Sequence, residues 1–156
     1  MSKRAYAIVG AAIALAALYK YYDSDHWPWS DYNLTLAFYD EALRLDPKNA
    51  KTWYERGKTH QEWLRYDLAL ADYSEALLLN PNNANAWRGR GEIHRRNRNH
   101  DLAIYQYDQA IRLDPLESDF FVEQGNIYAE KGDHERAILN FDEAIQIGRA
   151  SCRERV

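Results

Sequence analysis

Residues 50–83 read AKTWYERGKTHQEWLRYDLALADYSEALLLNPNN, and residues 84–117 read ANAWRGRGEIHRRNRNHDLAIYQYDQAIRLDPLE. Laid over one another without a gap, the two 34-residue stretches return the same residue types in the same places. Trp53 meets Trp87, Gly57 meets Gly91, Ala69 meets Ala103, Tyr73 meets Tyr107, Ala76 meets Ala110, and Pro81 meets Pro115. A period of this length marks an array in which each unit is one supersecondary element.

Each unit is predicted to hold two helices. Ala69, Tyr73, Ala76 and Leu77 recur at three- and four-residue steps, which gives one apolar face. Small residues let helix axes approach closely, and aromatics fill the space beside them. Gly57 and Gly91 fall inside first helices, where glycine costs about 1 kcal/mol against alanine; close helix contact there offsets the cost. Asn80-Pro81 and Asp114-Pro115 end second helices, because the residue before proline avoids the α region. One unit cannot bury its own apolar face, so units must stack.

Outward from these two units the pattern continues. The first aromatic set is Tyr19, Trp53, Trp87, Phe121, and Gly125 extends the glycines. Thr35 and Ala137 flank one small set, Ala42 and Ala144 the other, and Tyr39 and Phe141 the second aromatic set. The period and positions resemble the tetratricopeptide repeat family over residues 16–146, as units 16–49, 50–83, 84–117 and a truncated 118–146. The first unit departs from the family pattern, with Asp23 at the glycine position and Thr35 at an alanine position. The resemblance implies an all-α, right-handed superhelical solenoid of antiparallel helix pairs. It also implies a concave groove, lined mainly by first helices, that binds a protein or peptide.

The final ten residues, IGRASCRERV at 147–156, match the translation of a common sequencing adapter, ATC GGA AGA GCG TCG TGT AGG GAA AGA GTG, whose next codon is a stop. They are read as a processing scar and kept out of fold reasoning. Cys152 is then not native, and removing three arginines and one glutamate takes the net charge from −4 to −6. The native chain is expected to continue beyond residue 146 into a further repeat or cap. Without it, the outer face of 136–146, assigned to Ala137, Phe141 and Ala144, is expected to meet water.

At the other end, Lys3 and Arg4 precede an uncharged run, AYAIVGAAIALAALY at 5–19, interrupted by Lys20 and followed by Tyr21 and Tyr22. As a helix, 5–22 spans about 27 Å, just short of a ~30 Å hydrocarbon core. The leading expectation is an N-terminal apolar helix over 1–22 that anchors the chain, with Lys3 and Arg4 cytoplasmic and the repeats across the membrane, in the periplasm of a bacterium. A cleaved signal peptide, which leaves a secreted or periplasmic protein, and a buried soluble helix are the alternatives.

Composition narrows the function. The chain is 46% hydrophobic with 12 tyrosines and 5 tryptophans, which excludes a disordered chain. A net charge of −4 gives no footprint for nucleic acid. His26, His60 and His94 are 34 apart, as are His100 and His134, so they sit in successive units about 10 Å apart. Zinc requires ligands about 2 Å from one ion, and no metal site is expected. There is no phosphate-binding glycine loop and no nucleophile with a nearby base. Glu75, Asp72, Asp108 and Glu143 are read as solvated charge. No cofactor and no catalysis are expected.

The informative polar feature is a basic cluster: Arg88, Arg90, Arg95, Arg96 and Arg98, with His94 and His100. Arg88, Glu92, Arg95 and Arg96 share one helical face, and the resemblance turns that face into the groove. Lys51, Tyr54, Lys58, Gln61, Asn85, Val122 and Asn126 line the same surface. Two readings stay open: a groove for an acidic peptide or chain terminus, or a solvated face balanced by Glu92 and Asp101. Arg56 and Arg90 replace a family position that is usually apolar and are read as structural, stacked on aromatics or reaching helix ends. Some family members clamp a peptide carboxylate with a lysine, two asparagines and two further basic residues. The aligned sites here are Lys20, Ser24, Glu55, Asn85 and Gly89, or one unit later Tyr54, Lys58, Gly89, Asp119 and Glu123, and only Lys20 fits. The expected role is a membrane-tethered, non-catalytic interaction scaffold. The alternative is a self-associating structural module.

Overall fold

The computed structural model describes residues 31–153. Over these the chain forms α1 (Asp31–Leu45), α2 (Ala50–Glu62), α3 (Tyr66–Leu79), α4 (Ala84–Arg96), α5 (His100–Leu113), α6 (Ser118–Glu130) and α7 (His134–Arg153). Each helix packs on the next in the chain, and α2 also touches α4. The all-helical, pairwise stacking expected from the repeat pattern is present. The apolar segment 5–22 and the first helix of the 16–49 unit lie outside the described residues. Among the described residues, no helix is long and apolar enough to cross a membrane.

The helices start and stop for local reasons. The side chains of Asn49 and Asn83 accept from the backbone N–H groups of Thr52 and Ala86, at 3.2 and 3.1 Å, and so cap α2 and α4. Such caps contribute about 1 kcal/mol each. Two residues past the ends of the first helices stand Leu64, Arg98 and Gly132, 34 residues apart and all at positive φ (59°, 59° and 80°). Beside each, two backbone bonds close the turn. For the first they are Leu64 N to Gln61 O, 2.9 Å, and Arg65 N to His60 O, 2.8 Å. The pairs at Arg98–Asn99 and Gly132–Asp133 repeat this pattern, which satisfies helix-end carbonyls through a left-handed residue. The indoles of Trp53 and Trp87 donate to Pro47 O and Pro81 O, each 2.9 Å, and so pin each first helix to the proline turn before it.

The core is a chain of clusters. Ala69, Tyr73 and Leu77 of α3 meet Ala86 and Ile93 of α4. Ala103, Tyr107 and Ala110 of α5 meet Phe120 and Ile127 of α6. The aromatics of second helices lie on the glycines of first helices. A Cβ on Gly57, Gly91 or Gly125 would come within 3.0, 2.8 or 2.7 Å of the ring of Tyr73, Tyr107 or Phe141, respectively. Phe120, passed over in favour of Phe121 in the periodic reading, is the fully buried member of the pair. The ring of Phe121 is half-buried.

One expectation is corrected. Ala137 and Ala144 are buried and Phe141 lies on Gly125, so the small-aromatic stripe of α7 faces its own partner α6. The exposed apolar groups of α7 are Ile138, Leu139 and Ile145. Ile104 and Ile111, 34 residues before Ile138 and Ile145, pack against the cluster that holds Phe120 and Ile127 of the following first helix. α7 itself runs unbroken through residues 147–153.

Candidate partner-binding surface

The residues expected to line a groove fall on the first helices. Lys51, Tyr54, Lys58 and Gln61 lie on α2; Asn85, Arg88, Glu92, Arg95 and Arg96 on α4; Val122 and Asn126 on α6. Side chains stitch these helices together. Gln61 Nε2 donates to Glu92 Oε2 at 2.7 Å. Arg95 donates from Nη1 to Glu123 Oε2 at 2.6 Å and from Nε to Glu130 Oε1 at 2.9 Å. The Tyr73 hydroxyl comes up from the core and donates to Gln61 Oε1 at 2.7 Å. Burial pushes that hydroxyl well above the usual tyrosine range, so it remains a donor at any physiological pH.

These contacts divide the basic cluster. Arg96 pairs with Glu92 one turn back, at 2.9 Å, and Arg95 is held by two glutamates of the next unit. Asp101, the other expected counter-charge, is taken by Lys131. Lys58 stands 3.9 Å from Glu62, a loose pair at the surface. Lys51 and Arg88 are exposed and make no ion pair among the described residues. On the first helices the positive charge available at this face is therefore Lys51, Lys58 and Arg88, beside the half-buried Tyr54 and the exposed Asn85 and Val122, while the exposed Arg98 lies in the turn after α4.

The opposite side of the first helices is built differently. Arg56 Nε and Nη2 fork onto Asp72 at 2.8 and 2.7 Å, and its Nη1 reaches Asp40 at 2.6 Å. Its guanidinium lies over Trp53, 4.7 Å from the ring centre, while Arg90 lies over Trp87 at 5.6 Å. His60 sits 3.5 Å from Asp72 and shares a 2.8 Å hydrogen bond with the Tyr32 hydroxyl. Burial lowers the His60 pKa, against the pull of Asp72. Asp72, read from sequence as solvated charge, is buried. It can be, because the arginine fork satisfies both carboxylate oxygens. Asp108 is half-buried and accepts from Gln124 at 2.7 Å. The pairs Asp40–Arg56, Arg56–Asp72 and Asp108–Gln124 are all 16 residues apart; that spacing was the one signal of these links in the sequence. No group of three or more His, Cys, Asp or Glu among the described residues is placed to share a metal ion.

Stacked helix pairs on a 34-residue period define a helical-repeat protein. The chain belongs to the tetratricopeptide repeat family, whose model matches residues 54–118 and 105–151. Among solved structures it is similar to a crystal structure of MamA protein, with TM-score 0.70 and 24% identity over 76% of this chain. It spans 65% of that chain's length. It is also similar to MamA 41-end from Desulfovibrio magneticus RS-1, with TM-score 0.72 and 24% identity over 89% of this chain and 72% of the other. At this identity the likeness speaks for the fold. No curated protein sequence matches the chain.

Proposed function

We propose that the chain is a non-catalytic protein-interaction scaffold whose first-helix surface receives an extended, acidic segment of a partner protein. The observation that supports it is the unpaired charge of Lys51 and Arg88, with Tyr54 and Lys58 on the helix of Lys51, on neighbouring helices joined by Gln61–Glu92. Charge-assisted bonds to a carboxylate are the strong kind, and Tyr54 supplies a rigid amphipathic contact. Asn85, Val122 and Asn126 extend the surface onto the neighbouring helices. Arg95 and Arg96 act as struts of the surface rather than as ligand contacts. In this reading the apolar run 5–22 tethers the array to a membrane. Anisotropy of a labelled Asp/Glu-rich peptide tests the surface. K58E with R88E is expected to weaken binding at least about 10-fold, while far-UV circular dichroism stays unchanged. Equal affinity in the double variant would sink the idea.

The exposure of Ile138, Leu139 and Ile145 favours a second reading, self-association through the α7 end face. Sedimentation equilibrium decides it. A mass that rises with concentration in the parent, and not in I138E/I145E, is its signature.

A further inference from the structure

Arg90 is the equivalent of Arg56 one unit on, but its surroundings have lost their acids. Asp72 becomes Gln106, and Asp40 becomes Ser74. Arg90 remains half-buried over Trp87, with no hydrogen bond or ion pair among the described residues, and its Nε is a buried donor with no partner. Gln106 Oε1 and His94 Nδ1, also buried, have none either. The Ser74 hydroxyl is committed to Leu70 O at 2.6 Å. Burial lowers the Arg90 pKa, and no carboxylate opposes that effect. His94 is held toward its neutral form by burial and by Arg90. A guanidinium kept in such a place costs free energy unless something satisfies it.

Access is available. In the equivalent site Asp40 reaches Arg56 from the solvent side, with its own side chain largely exposed. At Arg90 that approach is open, and the exposed Tyr105, in edge contact with Trp87, forms an aromatic rim that the second unit lacks, since Ala71 stands in its place. Arg90 is two residues from both Arg88 and Glu92. Two residues turn an α-helix by about 200°, so Arg90 points away from the first-helix surface.

We propose that Arg90, rimmed by Trp87 and Tyr105, is a second binding site that takes one aspartate or glutamate carboxylate from an acidic protein partner. The carboxylate sits where Asp40 sits around Arg56, on the terminal N–H groups of the guanidinium, since the buried Gln106 fills the place of Asp72. A carboxylate fits better than a phosphate. The site offers one guanidinium and a histidine that burial and Arg90 disfavour as a cation, which matches a single negative charge with two acceptor oxygens.

The Arg90 Nε–Hε resonance, followed by NMR in the whole chain at low salt, reads the site directly. Three probes are titrated: an Asp/Glu-rich peptide, its Asn/Gln counterpart, and inorganic phosphate. The acidic peptide is expected to shift the resonance saturably, and to do so equally in K58E/R88E, which leaves this site intact. The S74D/Q106D variant installs the two acids that Arg56 has. It is expected to weaken the response about 10- to 100-fold, the size of one charge-assisted hydrogen bond, without loss of helicity. The proposal is overturned by no shift with the acidic peptide, by an equal shift with the neutral one, or by saturation with phosphate at lower concentration. It is equally overturned if the full response survives in S74D/Q106D.

Discussion

A Cβ at Gly91 would stand 2.8 Å from the ring of Tyr107, and one at Gly125 would stand 2.7 Å from the ring of Phe141. Each ring lies in a packed helix pair, so making room displaces its contacts. Alanine gains about 1 kcal/mol of helix propensity and loses about 1–3 kcal/mol to overpacking. G91A and G125A are therefore expected to lower urea stability by up to about 2 kcal/mol. G148A, with nothing within 4 Å, is expected to be neutral or slightly stabilising in the same titration. A larger loss is expected at Arg56. R56A leaves the buried Asp72 carboxylate without its fork, a type of change that costs about 3–5 kcal/mol. R56A paired with D72N should recover part of that cost, as measured by the double-mutant cycle. Acid acts through His60 and His94, whose folded pKa values lie below the unfolded one. The unfolded chain then binds protons first, so stability is full above about pH 6.5 and falls as pH drops through the folded values. Urea midpoints at pH 7.5 and 5.5 should show this fall, and H94N should reduce it. Little of this network was legible in the sequence. A helical wheel puts Asp72 on a charged face because it cannot see a partner 16 residues away on another helix.

At the scale of the helix and its turns, the left-handed residue after each first helix repeats every 34 positions. Among the described residues it is glycine only at Gly132; Leu64 and Arg98 hold the same conformation with a side chain present. A left-handed residue with a Cβ costs about 1–2 kcal/mol. L64G and R98G should therefore each stabilise by about 0.5–1 kcal/mol, the rest lost to added freedom in the unfolded chain. G132A should destabilise by about 1 kcal/mol. Thermal midpoints that move the opposite way would count against this account of the turn. Helices, their proline ends and the glycine-aromatic contacts were readable because each depends on neighbours at fixed spacing. The turns were hidden by leucine and arginine in a glycine's place. Phe120 was hidden by Phe121: the two are adjacent, and only the identity of the covering helix decides which ring goes inside.

Over the whole molecule, contacts run mainly between consecutive helices, so stability is a sum of local terms and the ends open first. F141A removes the aromatic that α7 lays on α6. Its cost, about 3 kcal/mol or less for a half-buried ring, should be confined to one end. Hydrogen exchange is expected to quicken in α6 and α7 while α3 and α4 keep their protection. Uniform acceleration would show that the units open together. The proposed ligand surface was only partly legible: the sequence shows which helix carries the basic residues, but not that the next unit takes up Arg95. Arg95 has one further consequence. It grips α6 at Glu123 and again at Glu130, seven residues apart, or about 10 Å along the helix axis. A strut fixed at two points resists both sliding and twisting, yet its charges are open enough to the solvent for salt to screen them. The junction at Gly89, where the Tyr73 ring is wedged against backbone, has no such sensitivity. The array is thus a spring stiff at the α3–α4 junction and tuned by ionic strength at the α5–α6 junction, and its radius of gyration in solution scattering should grow with salt through the latter.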